Sequence, residues 1–255
     1  MEGKKLGTIE AAGQLTKDIL RNKLYATPES SEAYDFIAKK YFDREKLGHD
    51  IAQTFNLYLP GHLKIEDAII CDRAAGTGII SRALSDYGFQ VRASDLNVTQ
   101  LEQIRQTAPS ITTVREDFNE LMTGVEDESV HGVVQVGATR YMTVNGQVNY
   151  VREAQRVLVE NGLLIWPVFR REIPEAKLKH GWSHKSGFQE IVKLLETNGF
   201  EILSADYVVH GFMYSTPCSL VVARKNSDFE HNQSLQHTLA LLRKSFKIRF
   251  LSNLP

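Results

Sequence analysis

The stretch Ala68-Ile-Ile-Cys-Asp-Arg-Ala-Ala-Gly-Thr-Gly-Ile-Ile-Ser81 constrains the fold more than any other part of the chain. An apolar run ending on an acid reads as a buried strand, and the glycines after it open directly into apolar residues at helical spacing. Such a strand-turn-helix junction sets backbone N–H groups and the positive end of a helix dipole at one place, where a carboxylate or phosphate can dock. A chain with this junction is suited to hold a small charged cofactor.

The following sequence repeats the alternation. Residues 79–84 carry apolar side chains at helical spacing and Gly88 supplies a stop, after which 89–94 reads as a strand ending before Asp95. Residues 97–107 form a second expected helix, capped by Asn97 and stopped before Pro109. Residues 111–114 and 131–136 read as strands, 147–159 as a helix, and 162–169 as a fifth strand. Alternating strands and helices imply right-handed crossovers and a parallel sheet, whose ligands bind beyond the carboxyl ends of the strands. Asp72, Asp95 and Asp117 all fall there. A helix over 185–197 leads into two β-rich runs, 201–210 and 217–224, whose short connection permits an antiparallel pair.

The spacing in the turn separates two cofactors. A dinucleotide turn is G-x-G-x-x-G, and Ser81 stands where its third glycine belongs. Asp72-Arg-Ala-Ala-Gly-Thr-Gly78, followed by strand-end acids and a closing antiparallel pair, instead resembles the class I S-adenosylmethionine-dependent methyltransferases over about residues 32 to 225, in the style of the small-molecule branch. The resemblance implies an α/β Rossmann-like methyltransferase fold: a mostly parallel seven-stranded sheet with an antiparallel C-terminal strand and helices on both faces, to which residues 1–66, which read as mainly helical and lack strand signals, add an expected N-terminal helical cap. The expected division is a cap over 1–66, a cofactor-binding core over 67–225, and a helical tail over 226–255.

The same resemblance assigns roles. Ala74, Gly76 and Gly78 form the turn that meets the methionine portion of S-adenosylmethionine, with Asp72 facing its ammonium. Asp95 is the ribose-binding acid, since a carboxylate has enough lone pairs to accept from both ribose hydroxyls. Leu96 presses on the adenine, Asp117 accepts from its amino group, Phe118 adds a further adenine contact, and Gln135 meets the methionine end. The product is S-adenosylhomocysteine. Two positions depart from the family: Arg73 replaces an aliphatic side chain and His131 stands where aspartate is common. A buried guanidinium must be compensated, and Asp95, Glu116 or Asp117 is the expected partner.

Methyl transfer asks the protein chiefly to align the reactants and exclude water. Tyr141 and His184, on loops after the fourth and fifth strands, are the candidates should the acceptor have to lose a proton. Tyr34, Tyr141 and Trp182 are the candidate walls of an acceptor pocket, whereas Tyr41, Phe42 and Trp166 read as core. His180-x-x-x-His184 lacks a third ligand, so no metal is expected. A net charge of −1 with scattered basic residues disfavours nucleic acid and points to a small-molecule acceptor. No apolar run approaches the ~20 residues that span a bilayer, and no secretory signal is evident. The expectation is a cytoplasmic monomer or homodimer with Cys71 and Cys218 as buried thiols. A catalytically silent cofactor- or partner-binding protein and a protein or RNA methyltransferase stay open as alternatives.

Overall fold

The computed structural model describes residues 44–139, 142, 144–169, 188–205, 208–209 and 218–226. In chain order these form α1 (Arg44–Tyr58), β1 (Ile69–Arg73), α2 (Ile79–Tyr87), β2 (Gln90–Asp95), α3 (Val98–Thr107), β3 (Thr112–Arg115), β4 (Val130–Gln135), α4 (Val144–Val157), β5 (Leu158–Phe169), α5 (Phe188–Glu196), β6 (Phe200–Ser204), β7 (Val208–Val209) and β8 (Cys218–Lys225). The sheet runs β3-β2-β1-β4-β5-β8-β6, with the two-residue β7 pairing on β8 beside this path. Strands β3, β2, β1, β4 and β5 are mutually parallel, and β8 is antiparallel to both β5 and β6. The fold expected from the sequence, a mostly parallel sheet closed by a reversed strand, is the fold observed.

Period-two alternation divides the sheet between two cores. Ile70, Val134, Leu163, Ile165, Leu220 and Val222 enter one cluster with α1, α2 and α3, while Cys71, Val133, Leu164, Trp166, Val221 and Ala223 enter the other with α4 and α5. Each fully buried aliphatic side chain stabilises by roughly 1.5–3 kcal/mol, so a charge at Ile165 or Leu164 would break one layer. Helix α1 belongs to the first layer. Leu47, Ile51, Ala52 and Phe55 share one buried face, and Gly48 sits where an added Cβ would come within 2.6 Å of the Ala83 Cβ. That glycine lets α1 cross α2 at close range.

Boundaries differ from the sequence reading where tertiary pairing intervenes. Helix α4 ends at Val157 and β5 begins at once, because Leu158 pairs with Val130 before the register shifts and Leu163 pairs with Gly132. The regular ladder therefore starts next to Gly162, as the sequence implied. The run expected over 201–210 divides into β6 and β7, both pairing β8. No helix among the described residues is long and apolar enough to cross a membrane.

Candidate cofactor site

The order β2-β1-β4 places a crevice between β1, which leads to α2 on one face, and β4, which leads toward α4 on the other. Crevices of this kind, outside the carboxyl ends of strands whose helices diverge, are where open α/β sheets hold ligands. Register brings Arg73 level with Ser94 on β2 and Gln135 on β4, and Asp95 level with Arg115 on β3.

The turn itself is left-handed at three points, Ala74 (φ 54°), Gly76 (φ 57°) and Gly78 (φ 76°). Glycine is required at 78 twice over, since a Cβ there would also approach Ile104 Cγ1 to 2.5 Å. The turn's amides are less available than the sequence suggested. Ala75 N–H donates to Ser94 O at 2.9 Å, Gly76 N–H to Asp95 Oδ2 at 2.8 Å, and Gly78 N–H to Ala75 O at 3.0 Å. The anion-binding capacity therefore rests on the start of α2, where Gly78 is the N-cap and supplies no side-chain cap.

Asp95 is held by both oxygens: Oδ2 accepts from Gly76 N–H, and Oδ1 accepts from Asn97 N–H at 2.8 Å. Burial pushes its pKa above the ordinary carboxylate value, against the lowering effect of these backbone N–H groups. The Leu96 N–H also helps hold the carboxylate, which keeps acceptor capacity for a further donor. Asn97 caps α3 as expected, its Oδ1 accepting from Thr99 N–H at 2.9 Å and from Gln100 N–H at 3.3 Å. The cap brings Gln100, a residue without a sequence signal, beside the turn. Gln100 is buried, its Oε1 lies 3.8 Å from where a Gly76 Cβ would stand, and its Nε2 has no hydrogen-bond partner.

Asp72 is turned into the fold. It is 1% exposed, and its Oδ2 accepts from the Ser81 hydroxyl at 2.5 Å. Ser81, noted in the sequence only as a missing glycine, thus fixes the first acid of the motif. Leu96 is half-buried beyond Asp95. Gln135 is buried at the end of β4, its Oε1 accepting from Thr139 Oγ1 at 3.3 Å, while its Nε2 has no partner. Trp166 is core, with Nε1 donating to Thr139 Oγ1 at 2.9 Å and its ring edge-to-face with Tyr150.

Asp117 opens the segment after β3. Its Oδ1 accepts from Asn119 N–H at 2.9 Å and Asn119 Nδ2 at 3.0 Å, an Asx turn, and Phe118 packs half-buried on the second core. Arg73 departs from expectation. No carboxylate pairs with it among the described residues; its Nη2 instead donates to the carbonyls of Asp117 at 3.1 Å and Glu120 at 2.9 Å. The physical reason is that Glu116 is already taken by a bidentate pair with Arg92, and both oxygens of Asp95 face the glycine turn and Asn97. Arg73 is fully buried, which lowers its pKa, and its guanidinium carbon lies 5.9 Å from the centre of the Tyr150 ring. Its Nε and Nη1 have no hydrogen-bond partners.

Cys71 is a buried free thiol whose pKa is pushed up to about 11 by burial, which leaves it inert near neutrality. Among the described residues no cluster of three or more His, Cys, Asp or Glu side chains is placed to hold a metal. Tyr34, Tyr41, Phe42, Tyr141, His180, Trp182 and His184 lie outside the described residues, and so does the side chain of Cys218.

The donor set suits S-adenosylmethionine. The uncapped start of α2 suits a carboxylate, the Asp95 carboxylate keeps acceptor capacity suited to a ribose hydroxyl, and the orphaned Gln100 Nε2 offers a buried donor beside the turn. Strand order, reversed β8 and this turn define the class: a class I S-adenosylmethionine-dependent methyltransferase fold. Residues 70–162 match a family model described as a methyltransferase domain, and S-adenosylmethionine is the cofactor that domain implies. No curated protein matches the chain in sequence.

Solved structures agree on the fold. A Burkholderia thailandensis 1,6-didemethyltoxoflavin-N1-methyltransferase, solved with 1,6-didemethyltoxoflavin and S-adenosylhomocysteine, superposes at TM-score 0.61 and 14% identity over 89% of this chain and 94% of that one. A TehB-like methyltransferase from Corynebacterium glutamicum gives 0.56 and 20% over 79% and 100%. The [4+2]-cyclase SpnF gives 0.56 and 15% over 70% and 80%.

Proposed function

We propose that this methyltransferase acts on a small-molecule acceptor and holds its cofactor with Asp72, Ala74, Gly76, Gly78, Asp95, Leu96, Asp117, Phe118 and Gln135. The observation that carries the cofactor reading is the anchoring of Asp95, whose carboxylate is held by the backbone N–H groups of Gly76, Asn97 and Leu96 and keeps acceptor capacity for ribose. Asp117 Oδ2, on the side of the carboxylate away from Asn119, then accepts from the adenine amino group. Leu96 and Phe118 line the adenine. The start of α2 receives the methionine carboxylate, and Asp72, fixed by Ser81, sets the negative potential under the ammonium.

Bound S-adenosylmethionine supplies a methyl group already activated by its sulfonium. What remains for the protein is to orient the acceptor along the line of displacement and to exclude water. A base is needed only where the acceptor loses a proton, and Tyr141 and His184 are the residues proposed for it, with Tyr34 and Trp182 as further walls of the pocket. A small acceptor is supported by the net charge of −1 without a basic stripe, and by the likeness to a 1,6-didemethyltoxoflavin-N1-methyltransferase across 89% of the chain.

A thermal-shift titration against S-adenosylmethionine, S-adenosylhomocysteine and NAD tests the cofactor site, since ligand at 100 times its dissociation constant stabilises by about 2.7 kcal/mol. A shift with NAD alone overturns the reading. Acceptor screening for S-adenosylhomocysteine release then tests transfer. The likeness to a [4+2]-cyclase favours one second reading, the same fold serving a function other than methyl transfer. Tight cofactor binding with no release across diverse acceptor classes is its signature.

A further inference from the structure

We propose that Arg73 is a positioning residue for adenine recognition, holding the turn that carries Asp117 through its main chain from beneath the site. The inference rests on the adenine role proposed for Asp117. The Asp117 to Glu120 segment is a tight turn closed by Glu120 N–H donating to Asp117 O at 3.0 Å. Both carbonyls at its ends, Asp117 O and Glu120 O, accept from the single Nη2 of Arg73, which has one N–H for each. An aliphatic side chain at 73 has no donor to offer, so the family's usual residue cannot make this contact.

Other side chains hold the flanks. Arg92 grips Glu116 and donates to Thr123 O at 2.8 Å, Glu153 Oε2 accepts from Met122 N–H at 2.8 Å, and Asn149 Nδ2 donates to Asn119 O at 3.0 Å. Arg73 alone among these reaches the main chain of Asp117 itself. It comes from β1, the strand that also presents Asp72 and leads into the glycine turn, so one strand sets the height of the adenine-reading carboxylate relative to the methionine-binding end. Its side chain is fully buried, with the guanidinium carbon 5.9 Å from the centre of the Tyr150 ring, which limits its freedom. A carboxylate displaced by even ~1 Å loses its hold on the adenine amino group, and with it the rejection of a base that presents an acceptor instead.

The test measures dissociation constants of S-adenosylhomocysteine and S-inosylhomocysteine, in which a carbonyl oxygen replaces the adenine amino group, for the full chain and its variants by calorimetry. The wild type prefers the adenosyl ligand by at least ~10-fold. Arg73→Leu weakens S-adenosylhomocysteine by roughly 10-fold and brings the two constants close together, and hydrogen exchange of the 117–123 amides rises in the free protein. Arg73→Lys, with three donors on one head, keeps most of the preference. Should Arg73→Leu not fold, the ratio is read in Arg73→Lys and Arg73→Gln, where it falls in that order. A variant that melts lower yet keeps the wild-type ratio makes Arg73 merely structural and overturns the inference. A wild type that binds S-adenosylhomocysteine without discriminating the inosyl ligand refutes the role of Asp117, and one that binds neither refutes the cofactor site as a whole.

Discussion

The hydroxyl of Ser81, in the first turn of α2, donates to Oδ2 of Asp72, near the end of β1, at 2.5 Å, with both residues buried. The motif's first acid is thereby locked to the helix that follows the turn, and the position that would be glycine in a dinucleotide turn becomes its anchor. Ser81→Ala removes one donor to a buried carboxylate. Equilibrium denaturation should show a loss of about 1–3 kcal/mol with an unchanged slope, and the variant should gain no affinity for NAD.

Ala74 stands at φ 54°, where an L-residue carries roughly 1–2 kcal/mol of left-handed strain and glycine carries none. Ala74→Gly, which removes that strain, should raise the denaturation midpoint. The gain is expected at about 1 kcal/mol, because added freedom of the unfolded chain offsets part of the relief.

Asp95 gives a pH dependence of definite sign. Its folded pKa lies above the ordinary 3.8 because burial penalises the charged form. Its contribution to stability is therefore present below 3.8 and lost as pH rises through the folded value. Cofactor affinity runs the other way, since only the ionised form offers both oxygens to ribose. The dissociation constant of S-adenosylhomocysteine should rise as pH falls through the raised pKa, and Asp95→Asn should bind weakly and without that dependence.

His131 carries a second pH signature. The Ile69 N–H donates to its Nδ1 at 3.1 Å, joining β1 to β4, and only the neutral ring can accept. Burial lowers the pKa against the opposing pull of Asp67. Stability from this contact is fully present above 6.5 and falls as pH drops from there through the lowered folded value. His131→Asp, which keeps an acceptor at the position, should flatten urea midpoints across that interval.

The parts of the fold legible in the sequence were those set by local pattern. Alternating apolar residues in 131–136 and 162–169, the Asn97 cap and the glycines at 76 and 78 each act within a few residues, and each is found where that pattern put it. The acids at 72, 95 and 117 were placed correctly at strand ends for the same reason. Their partners were not legible. The amides of the glycine turn looked free because nothing local shows that Ser94 O and Asp95 Oδ2 approach them from the next strand.

Arg73 marks the boundary most clearly. Its type and position showed a buried charge needing compensation, and charge alone suggested a carboxylate. The sequence by itself determined the alternating architecture, the strand-end acids and the glycine turn between β1 and α2, because periodicity and turn chemistry are local. Only the tertiary structure decided that Ser81 holds Asp72 and that Arg73 holds carbonyls 44 and 47 residues away, because hydrogen-bond partners follow from which segments the sheet order brings together.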